Sequence, residues 1–187
     1  MNDIQIIDLA PHDTRKINQA AQLLLDEFHE HSPESWPDME AALKEVYEAL
    51  ESERICRAAI DEHGELLGWI GGIPEYSGHA WELHPLVVRS DDQGRGVGSE
   101  LVADLEVLVR ERGATTIFLG TDDEDYRTSL GGRDLYPDVF QHIKTITNLR
   151  EHPYEFYQKL GYVIVGVIPD ANGPGKPDIL MAKRLSR

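Results

Sequence analysis

Residues 81–111 read WELHPLVVRSDDQGRGVGSELVADLEVLVRE, a pattern that predicts a strand, a glycine-rich turn and a helix in succession. Trp81 to Val88 is rich in residues that favour strands, while Pro85 lacks a backbone donor and either interrupts regular pairing or sits on a strand edge. Ser99 to Glu111 repeats apolar residues at helical spacing. Between them, Gln93-Gly94-Arg95-Gly96-Val97-Gly98 predicts a tight turn from strand to helix.

The glycine loop precedes a helix N-terminus, which makes it a candidate anion site. Amides from Gly94 to Ser99 can converge on phosphate oxygens, assisted by the helix dipole. A dinucleotide-binding turn shares the G-x-G spacing, but it follows the first strand and has another glycine where this chain has Leu101. The remaining alternative is that the glycines only make the turn.

Hydrophobic periodicity along the rest of the chain predicts a single α/β domain over residues 1–187, without repeats or linkers. Ile55–Ile60 and Leu66–Ile73 flank turn residues and predict a hairpin. Ser32-Pro33 is expected to end the first helix. The other predicted elements are the strands Ile4–Leu9, Thr116–Gly120, Val163–Ile168 and Ile179–Lys183 and the helices Thr14–His31, Asp38–Leu50, Val139–Ile146 and Tyr154–Leu160.

The chain is strongly acidic. Lys and Arg number 18 and Asp and Glu number 34, which gives a net charge of −16. Such a surface repels a phosphate backbone, so nucleic acid is not expected as a partner. It attracts a cationic substrate by long-range steering, although acidity can also serve only to keep a protein in solution.

Composition also predicts a cytoplasmic location. Met1 to Pro11 lacks the basic start and apolar run of a signal peptide, and no segment approaches the roughly 20 apolar residues of a membrane span. Cys56 is the only cysteine, which excludes an internal disulfide and fits a reducing compartment.

Two motifs resemble the GNAT superfamily of acetyltransferases. Gln93, Gly96 and Gly98 match its Q/R-x-x-G-x-G/A coenzyme A motif, and Tyr154 to Tyr162 is similar to its F-Y-x-K-L-G-F/Y signature. The resemblance implies an α/β (α+β) GNAT fold in one domain, with a mixed, mostly antiparallel central sheet flanked by helices. It also implies acetyl-CoA as cosubstrate.

A narrower resemblance covers most of the chain. Trp81–Val88, Leu119–Asp123, Asn148–Tyr157 and Lys176–Ile179 are similar to the chromosomal enterococcal type of aminoglycoside 6′-N-acetyltransferase. It implies direct acetyl transfer to the 6′-amine in a ternary complex, antibiotic resistance and a homodimer. The alternatives are acetylation of a polyamine or protein amine with incidental drug activity, and a non-catalytic acetyl-CoA sensor.

Catalytic candidates lie on the strand before the loop. Glu82 is two residues before His84, so both point to one face of the strand, where either residue could also be merely structural. The resemblance makes Glu82 the base that deprotonates the acceptor ammonium, directly or through water, and places His84 nearby. It makes the Leu86 amide the oxyanion donor and Tyr157 the acid for the leaving thiolate.

The predicted coenzyme-binding set joins the strand, the loop and the helix tyrosine. Tyr154 and Tyr162 are instead predicted to pack, although the motif alone does not exclude Tyr154 as the acid. The coenzyme set is Leu86, Val87, Val88, Gln93, Gly94, Arg95, Gly96, Val97, Gly98, Ser99 and Tyr157.

The acceptor site is expected to combine aromatic faces with carboxylates, which suit a polycationic sugar. Trp36 lies in a polar interhelix loop where a core role is less natural, and Tyr76 precedes the key strand. Asp122 follows a strand end, Asp138 is a weaker candidate, and Glu82 completes the set.

Covalent and metal chemistry are not expected. Cys56 lies in an apolar strand without an adjacent base, so it is predicted to be an inert core residue. His29-Glu30-His31 lacks a third ligand at metal-site spacing, so no metal is predicted.

Overall fold

The computed structural model describes residues 4–32 and 34–185. The described residues divide into two compact units, residues 4–32 and 34–117 with 185, and residues 118–184. Within the described residues, no helix combines the length and the apolar character needed to cross a membrane.

The first unit contains four strands in the order β1-β2-β3-β4, each antiparallel to its neighbour. All the predicted elements of this part of the chain are present. They are β1 (Gln5–Asp8), α1 (Thr14–Phe28), α2 (Met39–Ala49), β2 (Ile55–Ile60), β3 (Leu66–Glu75), β4 (Ala80–Val88) and α3 (Val97–Glu111).

Aspartates cap the first two helices. Asp13 accepts a hydrogen bond from the Lys16 amide at 3.1 Å, and Asp38 accepts one from the Ala41 amide at 2.9 Å. Each bond satisfies one of the amides that a helix start leaves without a partner.

The first helix ends earlier than predicted. α1 stops at Phe28 rather than His31, and the amides of His31 and Ser32 both donate to the Phe28 carbonyl in the turn that follows. The predicted breaker Pro33 lies outside the described residues.

The core of the first unit lies between α1, α2 and the sheet. Trp69 on β3 is fully buried, and its indole N–H donates to the Ala20 carbonyl of α1 at 3.1 Å. The bond satisfies the one polar atom of a large apolar side chain, so the indole ring fixes α1 against the sheet.

The predicted hairpin between β2 and β3 is confirmed by their antiparallel register. Asp61 shapes its turn by accepting from the amides of His63 and Glu65, both at 2.9 Å. Gly64 has a φ of +77°, a backbone conformation that glycine adopts without a side-chain penalty.

The boundary between the units lies within β5 (Thr116–Asp122), most of which belongs to the second unit. The second unit also contains α4 (Val139–Lys144), α5 (Tyr154–Lys159), β6 (Val163–Ile168) and β7 (Asp178–Arg184). Its strands lie in the order β5-β7-β6, and β6 and β7 are antiparallel. These elements also match the predictions to within a few residues at their ends.

A buried carboxylate organises the long segment after β5. Asp123 is fully buried and accepts from the amide of Arg127 at 2.6 Å and from the amide and hydroxyl of Thr128 at 3.0 and 2.7 Å. Burying a charge without partners costs free energy, and these three bonds supply the partners of the Asp123 carboxylate. They also fix the backbone of Arg127 and Thr128 at the start of a segment that is largely without regular structure.

Candidate active site

The glycine loop presents a helix N-terminus without a capping side chain. Gly96 is the N-cap of α3 with φ +95°, and no side chain among the described residues caps the helix. A Cβ at Gly94 or Gly96 would meet nothing within 4 Å, so the backbone there faces open space. This geometry fits a phosphate-bearing ligand, because accessible amides and the helix dipole favour an anion.

Side chains under the loop hold it in place. Asp92 is buried and accepts from Arg89 at 2.6 Å and from Arg95 at 2.5 Å. Gln93 donates to the Val88 carbonyl at 3.0 Å, which ties the loop to the end of β4. Arg95 and Gln93 therefore have structural partners in the loop, and Asp92, which directly precedes the motif, was missed by the sequence reasoning.

The predicted interruption of pairing at Pro85 is confirmed. Ile70 lies opposite Leu86 and Gly72 opposite Leu83, so two residues of β4 face Gly71 alone. A Cβ at Gly71 would lie 2.2 Å from the His84 carbonyl oxygen, so only glycine allows β3 to approach this bulge.

The register beyond the bulge orients the strand amides. The Arg89 amide donates to the Leu67 carbonyl at 2.8 Å, and Val87 lies opposite Trp69. Because antiparallel residues alternate between bonded and non-bonded pairs, the Leu86 and Val88 amides point away from β3. Val87 instead turns its backbone toward β3. The Leu86 amide, predicted to be the oxyanion donor, is therefore not used in the pairing of β4 with β3.

Glu82 and His84 lie on the same half-buried face of β4, in alternation with the buried Trp81, Leu83 and Pro85. Among the described residues, the Glu82 carboxylate has no hydrogen-bond or ion-pair partner. A carboxylate without an internal partner can accept a proton from a bound ammonium group.

Trp36, Glu45 and His84 form a cluster beside this face. Glu45 lies 3.6 Å from His84 and accepts from the Trp36 indole at 3.4 Å, and the Trp36 and His84 rings are 6.2 Å apart. The neighbouring His84 side chain is the main reason that the pKa of Glu45 lies below its usual value. Trp36 also packs edge-on against Phe28 at 4.7 Å and lies at the edge of the core, a position that its polar interhelix loop did not indicate. Its place in the acceptor site stays a prediction.

Glu45 was missed by the sequence reasoning. It lies on α2 beside the inward-facing Ala42, Val46 and Ala49, and it is half-buried. A carboxylate on the apolar stripe of a helix is the signal that could have found it.

Tyr76 lies in the turn before β4. Tyr76 and Ser77 have φ values of +50° and +58°, an uncommon pair of left-handed residues without glycine. The Tyr76 side chain is 76% exposed, so it does not contribute to the core of the first unit.

The second unit contains three further candidates. Asp122 is the exposed last residue of β5, and its carboxylate accepts from Asn172. Asp138 is exposed and caps α4 by accepting from the Gln141 amide at 3.3 Å, which gives it a structural role. Tyr157 is a buried residue of α5.

Tyr157 is buried among aromatic rings. Its ring lies edge-on to Phe156 at 5.0 Å and to Tyr162 at 5.7 Å. Burial raises the pKa of Tyr157 well above its usual value, so the phenol is protonated throughout the neutral range and can donate. Tyr154 and Tyr162 are buried, which confirms that they pack.

Cys56 is a buried core cysteine, as predicted. Burial raises the pKa of its thiol to about 12, so almost no nucleophilic thiolate exists at neutral pH. Among the described residues, no group of three or more His, Cys, Asp or Glu side chains is placed to hold a metal ion.

Comparison with known proteins identifies the family to which the chain belongs. Residues 17–130 match the acetyltransferase (GNAT) family, and the chain belongs to this family. The predicted fold class is confirmed: the chain has the GNAT fold, with seven strands and five α-helices among the described residues. No curated protein sequence matches significantly.

Three solved structures are similar over 98% of this chain and 98% of their own. An aminoglycoside 6′-N-acetyltransferase complexed with coenzyme A is 46% identical, with a TM-score of 0.91. The aminoglycoside 6′-N-acetyltransferase from Enterococcus faecium is 46% identical, with a TM-score of 0.88. An aminoglycoside 6′-acetyltransferase type Ii is 40% identical, with a TM-score of 0.74.

Proposed function

We propose that this chain is an acetyl-CoA-dependent aminoglycoside 6′-N-acetyltransferase that transfers the acetyl group directly to the 6′-amine in a ternary complex. The observation that carries this proposal is the 46% identity, over 98% of both chains, with a solved enzyme of that activity that has coenzyme A bound. Acetylation would remove a positive charge from the drug and so confer antibiotic resistance.

The coenzyme would be held mainly by backbone groups. The amides from Gly94 to Ser99 lie at the uncapped start of α3 and suit the pyrophosphate. The outward amides of Leu86 and Val88 suit the pantetheine arm, and Gln93 and Arg95 keep the loop in shape. The bound coenzyme supplies an activated acetyl thioester.

The proton transfers are assigned to two side chains. Glu82 would take a proton from the acceptor ammonium, because its carboxylate has no internal partner among the described residues. Tyr157, protonated and buried, would give a proton to the leaving thiolate sulfur. The Leu86 amide would donate to the oxygen on which negative charge develops.

The acceptor would be recognised by charge and by flat rings. Trp36 is fixed by Glu45 and Phe28, whereas Tyr76 is exposed and available for stacking. Asp122 is an exposed carboxylate that can pair with ammonium groups, and Asp138 is an exposed helix cap with a smaller part. The net charge of −16 would draw a polycation toward the protein.

A turnover screen tests the proposal. Purified protein is incubated with acetyl-CoA and with aminoglycosides, linear polyamines or basic peptides, and thiol release gives kcat/KM for each acceptor. We expect aminoglycosides with a 6′-amine to be preferred, with a kcat/KM that falls as salt rises. Preference for a polyamine or a peptide would assign the site to another amine, and the absence of turnover with every acceptor would favour a sensor.

A homodimer in the cytoplasm is proposed as the working state. β6 is the last strand in the order β5-β7-β6, and its side chains Val163, Val165 and Ile168 are exposed. An apolar edge strand is an aggregation hazard unless it is covered, and a second copy of the chain would cover it. The single buried thiol suits a reducing compartment.

A further inference from the structure

His152 is a buried histidine that connects two separate elements of the second unit. Its side chain Nδ1 lies 3.2 Å from the Tyr154 amide, and its Nε2 lies 2.9 Å from the Asp122 carbonyl oxygen. The residue is 2% exposed, and its contact with the Tyr154 amide is buried, whereas its contact with the Asp122 carbonyl is part-buried.

The two partners define the tautomer of the ring. A backbone amide can only donate, so Nδ1 accepts and carries no proton. A carbonyl oxygen can only accept, so Nε2 carries the proton and donates it. The ring is therefore neutral in this arrangement, and burial supports this by lowering the pKa of His152.

Hydrogen bonds also hold the backbone at and just before His152. The Asn148 side chain accepts from the His152 amide at 2.8 Å and donates to its carbonyl at 3.0 Å. Arg127 donates to the carbonyls of Arg150 and Glu151, and Glu151 has a φ of +52°. Strained backbone held by surrounding contacts is common at functional sites.

Each element that His152 joins leads to a candidate residue. Asp122 is the last residue of β5, and Tyr154 opens α5, which carries Tyr157 in the same short helix. The N-cap of α5 is Pro153, which makes no side-chain capping bond. His152 Nδ1 therefore satisfies a first-turn amide that the cap residue leaves without a side-chain partner.

We propose that His152 is a positioning residue with two separable tasks: Nδ1 fixes the start of the helix that carries Tyr157, and Nε2 fixes the strand end that carries Asp122. The proposal rests on the proposed function for the roles of Tyr157 and Asp122. The two hydrogen bonds of the His152 ring do not depend on that function, because they join only described residues.

Two substitutions separate the tasks. The side-chain oxygen of Asn can replace Nδ1, and the side-chain amide of Gln can replace Nε2. His152→Asn should keep the bond to Tyr154 and lose the bond to Asp122, which raises the acceptor KM about 10- to 100-fold with little change in kcat. His152→Gln should do the reverse and lower kcat by a similar factor.

Matched controls distinguish a failure of this inference from a failure of the proposed function. Asp122→Asn should raise the acceptor KM, and Tyr157→Phe should lower kcat. If these controls behave as expected but both His152 variants change kcat and KM in the same ratio, the positioning inference is overturned. If the controls leave the kinetics unchanged, the proposed roles of Tyr157 and Asp122 are wrong. Amide exchange then tests the hydrogen bond from the Tyr154 amide to His152 separately.

Two measurements test the geometry without activity. Hydrogen exchange of the Tyr154 amide should be faster in His152→Gln than in His152→Asn, and equal rates would overturn the Nδ1 contact. In the unmodified protein, imidazole nitrogen NMR shifts should report a neutral ring with the proton on Nε2. A proton on Nδ1 would overturn the inference even if neither variant folds.

Discussion

Replacing Gly96 by Val should separate coenzyme binding from folding. Gly96 has a φ of +95°, and a Cβ there would meet nothing within 4 Å. Gly113 follows the other end of α3 with a φ of +89°, and a Cβ there also meets nothing within 4 Å. Gly113→Val is therefore a matched control, with the same backbone cost and the same empty surroundings, but away from the loop.

The size of each effect follows from these conformations. A left-handed backbone costs a residue other than glycine about 1–2 kcal/mol, and a chain of this size loses roughly 2–4 °C of Tm per kcal/mol. Both variants should therefore melt about 2–8 °C below the parent. Of the two introduced valine side chains, only the one at position 96 lies in the proposed phosphate site and obstructs it. Loss of one charge-assisted hydrogen bond, worth about 1.5–3 kcal/mol, weakens acetyl-CoA binding about 10- to 100-fold.

Titration calorimetry with acetyl-CoA, together with thermal unfolding, measures both effects. We expect Gly96→Val to lose affinity and Gly113→Val to keep it, with similar melting temperatures. A folded Gly96→Val protein that binds with parental affinity would remove the loop from the coenzyme site. Equal losses of affinity in both variants would attribute the effect to folding.

The further predictions concern substitutions of five side chains. Glu82→Gln should lose most activity at low pH and recover in part as pH rises and the acceptor amine deprotonates. Tyr157→Phe should lose about 10²–10⁴-fold in kcat without such recovery. If the pH–rate profiles of the two variants run in parallel, both roles are contradicted. Because the pKa of Glu45 is lowered in the fold, its carboxylate stabilises the protein above the unfolded pKa of about 4.3 and loses this effect as pH falls through the folded pKa. Glu45→Gln should thus cost about 1 kcal/mol near neutral pH and less in acid, and a loss independent of pH in denaturant unfolding would refute this. Cys56→Ala should keep most activity, and mass spectrometry that finds an acetyl group on Cys56 able to pass to the acceptor would restore a covalent route. Val165→Lys should convert a dimer to a monomer by light scattering, and a monomeric parent would reject the dimer.

The regular elements could be predicted because their periodicity is local. The stripe of α1 and the apolar strand β6 depend on neighbouring residues, and their positions agree with the structure. The first and last residues of the helices and strands agree less well with the prediction, because they depend on the backbone conformation of a single turn. α3 starts at Val97 rather than Ser99, because Gly96 takes a left-handed conformation and begins the helix there.

The site could be predicted only where its residues share a motif or a strand. Glu82 and His84 share a face because strand side chains alternate. Glu45 could not be paired with His84 from the sequence, because only the packed fold brings α2 beside β4. His152 acquires its role from a contact with Asp122, 30 residues earlier, which no local pattern encodes.

The position of the acetyl group on the product shows whether the protein is a 6′-N-acetyltransferase. A pair of aminoglycosides that differ only in an amine or a hydroxyl at the 6′ carbon is incubated with acetyl-CoA and the protein. Mass spectrometry and NMR then locate any added acetyl group. The proposed function predicts a single acetyl group on the 6′-amine and no product from the 6′-hydroxyl compound. Acetylation of both compounds at another amine would contradict it.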